Sequence, residues 1–433
     1  MEFSNVTEQE VTVEILDGIM GSSKTTNVIK WIDANCHTEK FIYVSPLKSE
    51  VDSDGRIQRD LDIAKFHSPS DEDFDTKSEH LLELLQKGVN VSCTHSLYLL
   101  MSQKHFNEIK KQGYIVIIDE ELGVIDSYDT YSQFDLDSLI DLGCVTKQES
   151  DGMLLWVRED ENFDKSSHAY HKFKRHVENG IIYSTKRKNT MMVTQLPIKL
   201  FTVAKRTMII TYMFEGNILS SFLKLKGIKY IPFTDVQINT VAKSKIKELI
   251  TLYEPKNKWK KVETFKLSNT WYTSNGKGNA SNDDIDFLQK FIECFARQTE
   301  CNYKDLMFTF PKYRKWDTIP RGGAKRKLIK PKRLIDRTDE DGVVEKCWIA
   351  TQTRATNDYA HKTHLIQLFN RYPNISVKSY LTDYGSDVDD NVFALSELVQ
   401  WIWRSAIRNS KPITLCIASP RMKELFLTWL DDK

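Results

Sequence analysis

The residues best able to do chemistry lie early in the chain, in the stretch DGIMGSSKTTNVIKW (17–31). Gly18 to Thr25 satisfies the phosphate-loop pattern G-x-x-x-x-G-K-[ST] at every fixed position except the second glycine, which is Ser23. In such a loop the backbone N–H groups of Met20, Gly21, Ser22, Ser23, Lys24 and Thr25 point at phosphate oxygens. Lys24 reaches the β and γ oxygens, and the Thr25 hydroxyl ligates Mg²⁺, with Gly18 and Thr26 closing the loop on either side. A serine at position 23 costs conformational freedom only if the backbone there needs a positive φ. Downstream, Asp119 and Glu120 end an apolar run 95 residues after Lys24. A carboxylate at Asp119 can hold Mg²⁺ through water, and Glu120 can take a proton from an attacking water. Loop and acids together imply ATP as ligand, Mg²⁺ as cofactor, and hydrolysis.

These groups need strands that end close together. VTVEIL (11–16) is apolar and β-branched, and TTNVIKWIDANC carries Val28, Ile29 and Ile32 at helical spacing, so strand, loop and helix follow in the order a phosphate loop requires. FIYVSP (41–46), NVSCTHSLYLLM (90–101), YIVIID (114–119) and RTMIITYMFEG (206–216) add further buried strands, the second running into a helix. Short apolar strands alternating with helices predict a parallel sheet covered on both faces. Between about 127 and 195 the pattern loosens into a polar, charged region with strand-like GIIYS and MMVTQL, which reads as an insertion. From 217 to 300 helices mix with polar loops such as SNGKGNASNDD (274–284). A second strand set follows in DLMFTF (305–310), CWIATQT (347–353), HLIQLF (364–369) and ITLCIA (413–418), with a helix predicted over ALSELVQWIWRSAIR (394–408).

Composition sets outer bounds. The chain of 433 residues exceeds one ordinary core, and 40% hydrophobic with 28% charged residues is a globular profile. Sixty-one basic against 60 acidic residues give no overall bias toward nucleic acid, so such a partner requires local clustering. Seven scattered cysteines without a C-x-x-C pair argue against a disulfide framework or zinc site. With no signal-peptide pattern at the N-terminus and no run long enough to span a bilayer, a cytoplasmic protein without a membrane partner is expected, in the host cytoplasm if the chain is viral.

GIMGSSKTT, VSPLK (44–48), CTHSLY (93–98), IIDEE (117–121) and IITYMFEG (209–216) resemble, in order, the first-domain motifs of superfamily 2 helicases. The Met-Gly-Ser run before the lysine is most similar to herpesvirus-type origin-binding helicases and related bacteriophage helicases. The resemblance implies two RecA-like domains in tandem, 1–225 and 226–433, with the insertion in the first. It implies nucleic-acid contacts at Pro46, Lys48, Thr94 and His95 and coupling of hydrolysis to movement through the IITY strand. In the second half, DLMFTF resembles the fourth motif and TQTRATND (351–358) the T-x-x-x-x-R-G-x-D stretch of the fifth, which would place Thr353 and Arg354 on nucleic acid. QWIWRSAIR resembles the Q-x-x-G-R-x-x-R helix of the sixth, with Gln400 and Arg404 at the family spacing. Trp403 replaces the glycine, and Arg408 comes one residue late. By resemblance, ATP would lie in a cleft with Lys24 and Thr25 on one wall and Arg404, the arginine finger, on the other.

The local clustering that total charge hides is PKYRKWDTIPRGGAKRKLIKPKR (311–333), with ten Lys/Arg, among them Lys325, Arg326 and Lys327, against the single acid Asp317. Three prolines and Gly322-Gly323 predict a loop, and Tyr313 and Trp316 could stack on bases. The expected function is an ATP-dependent helicase or translocase in phage DNA replication or recombination, with DNA favoured over RNA and other replication proteins as further partners. Two rivals stand beside it: a small P-loop kinase, whose loop can look similar, and an ATP-switched nucleic-acid-binding module or loader that does not unwind.

Overall fold

The computed structural model describes residues 12–159, 161–186, 191–273, 278–318, 327–338, 342–353 and 358–432. The chain divides into two compact units: residues 1–18, 23–239 and 373–389 form one, and 19–22, 240–372 and 390–433 the other.

In the first unit the strands in chain order are β1 (Thr12–Asp17), β2 (Phe41–Ser45), β3 (Phe66–His67), β4 (Asn90–Thr94), β5 (Ile115–Asp119), β6 (Ile125–Ser127), β7 (Val145–Lys147), β8 (Leu154–Trp156), β9 (Ile182–Ser184), β10 (Met192–Gln195), β11 (Arg206–Thr211) and β12 (Lys229–Pro232). Seven of them make one sheet in the order β12-β1-β11-β5-β2-β4-β3, every pairing parallel. Residues of β2 and β5 are buried along their whole length, as expected of central parallel strands packed on both faces. One side of the core joins Val28, Ile29 and Ile32 of the helix Lys24–Asn35 to Phe41, Tyr43, Ile117 and Met208. One strand, β11, separates the phosphate-loop strand β1 from the acid-pair strand β5. The mixed α/β architecture with parallel sheets is thus the fold class that the strand pattern predicts.

The inserted region is a small body of its own. β6, β10 and β9 form an antiparallel sheet, β7 and β8 a hairpin, and Leu136, Leu139, Leu154, Phe173 and Val177 fill a separate core. A helix from far along the chain, Ile375–Asp383, is part of this unit: Tyr380 Oη donates to Asp151 O and Tyr384 Oη to Ser184 O, at 2.5 and 3.1 Å.

The second unit holds β13 (Ile250–Leu252), β14 (Leu306–Thr309), β15 (Arg337–Thr338), β16 (Val344–Glu345), β17 (His364–Gln367) and β18 (Ile413–Ile417). Its main sheet runs β13-β18-β17-β14, all parallel, under the long helix Asn282–Gln298, whose Leu288, Phe291, Ile292 and Phe295 join Phe308, Ile366 and Cys416 in the core.

The sequence expectation fails in three places here. CWIATQT is no strand: Trp348 forms an isolated bridge with Phe308, and Trp348 Nε1 donates to Phe310 O at 2.9 Å. The helix expected over 394–408 runs from Asp390 to Ile402 and gives way to a turn and a 3₁₀ segment, Ala406–Asn409. Strands β12 and β13 lie within the stretch read as helices and loops.

Candidate nucleotide site

β1 ends at Asp17, and the loop that follows delivers Lys24 and Thr25 at the start of the helix Lys24–Asn35. β5 ends at Asp119. Since β1 and β5 run in the same direction, both sets of side chains emerge at the carboxyl end of the sheet, where open parallel sheets bind ligands. Thr25 Oγ1 donates to Asp119 Oδ2 at 3.2 Å, and Tyr43 Oη donates to the same oxygen at 2.7 Å. His95 Nε2 hydrogen-bonds the carbonyl oxygen of Asp119 at 2.8 Å. Lys24 Nζ folds back onto the carbonyl of Gly18.

Electrostatics marks the same residues. Burial pushes the Asp119 carboxyl up to about 7, with the negative charge of Glu50 adding to the effect and the bonds from Tyr43 and Thr25 opposing it. Burial also lowers Lys24 to about 8, against the pull of Asp119, Asp17 and Glu120. Desolvation therefore works against the charge of each group, and a bound phosphate and a divalent ion would favour the charged forms. One hydroxyl and one carboxylate suit Mg²⁺, which keeps several waters and takes other ligands from phosphate oxygens. Among the described residues no group of three or more His, Cys, Asp or Glu forms a metal cage of its own.

Around this centre, Glu120 has φ 66°, and its N–H donates to Ile210 O on β11 at 2.9 Å. Glu121 Oε1 accepts from Leu219 N at 3.0 Å, at the start of the helix Ile218–Leu225. Ser23 has φ 62°, the condition under which replacing the pattern's glycine is costly. Arg56 donates through Nη2 to Thr26 Oγ1 at 3.2 Å and through Nε to Asp60 at 2.9 Å. Ser45 Oγ donates to Glu50 at 2.8 Å. The sequence reading overlooked Tyr43, Glu50 and Arg56. A signal for Tyr43 existed: it carries the phenol hydroxyl of FIYVS, a strand otherwise apolar up to its final serine, and a buried hydroxyl needs a partner.

The other candidates are placed as follows. Pro46 follows β2, and Lys48 begins the exposed turn of helix after it. Thr94 caps the short helix His95–Tyr98 by accepting from Leu97 N at 3.3 Å. In the second unit Gln400 donates to Ser396 Oγ at 2.9 Å. Arg404 lies beyond the helix end, only 4% exposed, and its Nε donates to Thr353 O at 3.0 Å. Arg408 is exposed. Lys327 pairs with Asp286 at 2.9 Å. Lys325, Arg326 and Arg354 lie outside the described residues. In the described part of 311–333, Arg314 is buried and donates to Tyr272 O, and Lys315 pairs with Asp317 and Asp336, both at 2.7 Å. Tyr313 Oη donates to Asn269 O at 2.9 Å and Trp316 packs edge-on to Phe308, so both rings are engaged with their own unit. Exposed bases remain at Lys312, Lys330, Lys332 and Arg333.

Comparison with known proteins adds three findings. Residues 244–430 match the family model described as the YonV C-terminal Rossmann-like domain. Across 429 residues the chain is 27% identical to the SPbeta prophage-derived uncharacterized protein YonV of Bacillus subtilis (strain 168), covering 97% of this chain and 99% of that protein. Among solved structures, Xpd4 of S. tokodaii is similar at a TM-score of 0.48 and 13% identity, over 96% of this chain and 94% of that one. No helix among the described residues is long and apolar enough to cross a membrane.

Proposed function

We propose that this protein is an ATP hydrolase of the superfamily 2 type that acts on nucleic acid as a helicase or translocase. DNA is its favoured substrate, and phage DNA replication or recombination its setting. One observation carries the reading: Lys24, Thr25 and Asp119 converge at the carboxyl ends of β1 and β5, tied by the 3.2 Å bond from Thr25 to Asp119. The 27% identity to a prophage-derived protein supports the phage setting.

Within that reading Lys24 binds the terminal phosphates through its ammonium group. Thr25 and Asp119 would hold Mg²⁺, which would neutralise charge on the phosphate oxygens. Tyr43 and His95 fix the side chain and the backbone of Asp119. Glu120 takes the proton from water. Turnover of ATP measured side by side with single-stranded DNA, duplex DNA and RNA tests this, with Lys24→Ala as control. Stimulation by single-stranded DNA is the expected result. Absent turnover, or turnover unchanged in Lys24→Ala, refutes it.

The burial of Arg404, with its Nε on Thr353 O, favours a second reading: an ATP-switched nucleic-acid-binding module that hydrolyses slowly. ATP-dependent retention of DNA without strand displacement would distinguish that module from a helicase.

A further inference from the structure

Ser23 is the point at which the loop departs from the phosphate-binding pattern, and it has an unusual environment. It occupies the N-cap position of the helix Lys24–Asn35 but sits in the left-handed region, at φ 62° and ψ 22°, and makes no capping hydrogen bond to the helix. N-cap serines ordinarily adopt extended backbone and accept from the second or third helical N–H. Here the Ser23 hydroxyl oxygen instead accepts from Asn239 Nδ2 at 3.1 Å. One turn along the helix, Asn27 Nδ2 donates to Gln237 O at 2.8 Å.

Both contacts belong to the segment that leaves β12. Phe233 N donates to Ile15 O at 2.9 Å and its ring stands edge-on to Trp31, at 5.4 Å between centroids. Val236 is buried and Ile238 packs on the same core. The segment then surfaces at Asn239, the last residue of this stretch of the first unit, and at Thr240 the chain passes into the second. A glycine at 23 would accept the backbone conformation without strain but would offer nothing to Asn239. Non-glycine residues in left-handed geometry persist where their surroundings over-determine them, and such sites concentrate at clamps and switches.

We infer that Ser23 is a positioning residue that ties the phosphate loop to segment 233–239, so that filling the loop with nucleotide tightens the piece of chain leading out of the first unit. This rests on the nucleotide-binding reading above. Asn239 is exposed, so truncating it leaves the core intact.

The test is amide hydrogen exchange of 233–239 in the full chain, with and without Mg·ATP, alongside ATP binding measured directly by calorimetry. In the wild type, ATP should slow exchange of these amides by about tenfold. Asn239→Ala should bind ATP within about threefold of wild type yet lose that slowing, and Ser23→Ala/Asn239→Ala should lose no more than Asn239→Ala alone. Full slowing retained in Asn239→Ala, or additive losses in the double variant, overturns the tie while leaving nucleotide binding standing. No ATP binding by wild type, equal to Lys24→Ala, overturns the nucleotide reading and the tie with it.

Discussion

The two units treat their buried charged side chains differently. In the first unit Lys24 and Asp119 are held where burial moves both toward their neutral forms, and the hydrogen bonds on Asp119 come from neutral hydroxyls, Thr25 and Tyr43. In the second unit buried charges meet opposite charges or carbonyls: Arg371 pairs with Glu397 at 3.0 Å, the fully buried Lys362 with Glu345, and Arg404 bonds Thr353 O. A group whose charge desolvation disfavours is a candidate for binding a charged ligand, whereas a buried ion pair braces its own fold. The same layered architecture thus carries the candidate site in one unit and a braced framework in the other.

The largest expected effect lies in the first unit. Lys24→Ala should reduce ATP turnover by about three orders of magnitude, because the ammonium meets the phosphates where charge develops. The circular dichroism spectrum should stay unchanged. Turnover within tenfold of wild type would erase the distinction between the two units.

Arg404→Ala probes the braced side. Losing a buried guanidinium and its bond to Thr353 O should destabilise the second unit by about 2–4 kcal/mol, read from the denaturant midpoint. If kcat per folded molecule also collapses while KM holds, Arg404 is a finger as well as a brace.

A smaller effect concerns pH. Asp119 is raised from 3.8 to about 7 on folding, so between those values the native state holds a proton that the unfolded chain has released, and stability falls as pH rises. Lys24 is lowered from 10.5 to about 8, so from about 8 to 10.5 the unfolded chain holds the extra proton and stability rises with pH. These two groups place a stability minimum of the ligand-free protein between about pH 7 and 8. Asp119→Asn should remove the falling limb and stabilise the protein at pH 8 by about 1–3 kcal/mol, while abolishing turnover. Melting curves from pH 4 to 10 check the sign, and a destabilised Asp119→Asn protein would mean that the carboxylate is compensated after all.

The smallest effect is Ser23→Gly. Relief of the left-handed backbone, offset by the lost bond to Asn239 and by the greater freedom of glycine in the unfolded chain, should leave the ligand-free protein within about 1 kcal/mol of wild type. A loss above that, measured by thermal melting, would show that the hydroxyl matters more to the fold than the backbone strain does.

What could be read from the sequence follows the range of the forces involved. FIYVS, IVIID and RTMIIT announce buried parallel strands because nearly every residue in them must leave water, and Gly18 to Thr25 can be matched to the phosphate-loop pattern because that pattern is a property of contiguous backbone. Strands β12 and β13 gave no such signal: KYIP and ITL are short and partly exposed, and only pairing with β1 and β18 makes them strands. The helix toward Arg408 was overextended because apolar spacing continues through WIWRSAI, while the turn after Ile402 depends on bonds from elsewhere, such as Ala406 N to Lys362 O. Sequence alone therefore determined the α/β class, the loop and the acid pair. The tertiary structure decided that Tyr43 would share Asp119 with Thr25, that Ser23 would bend left-handed toward Asn239, and that Arg404 would be buried. Each of those depends on a partner between 51 and 216 residues away, and such contacts leave no local trace in the chain.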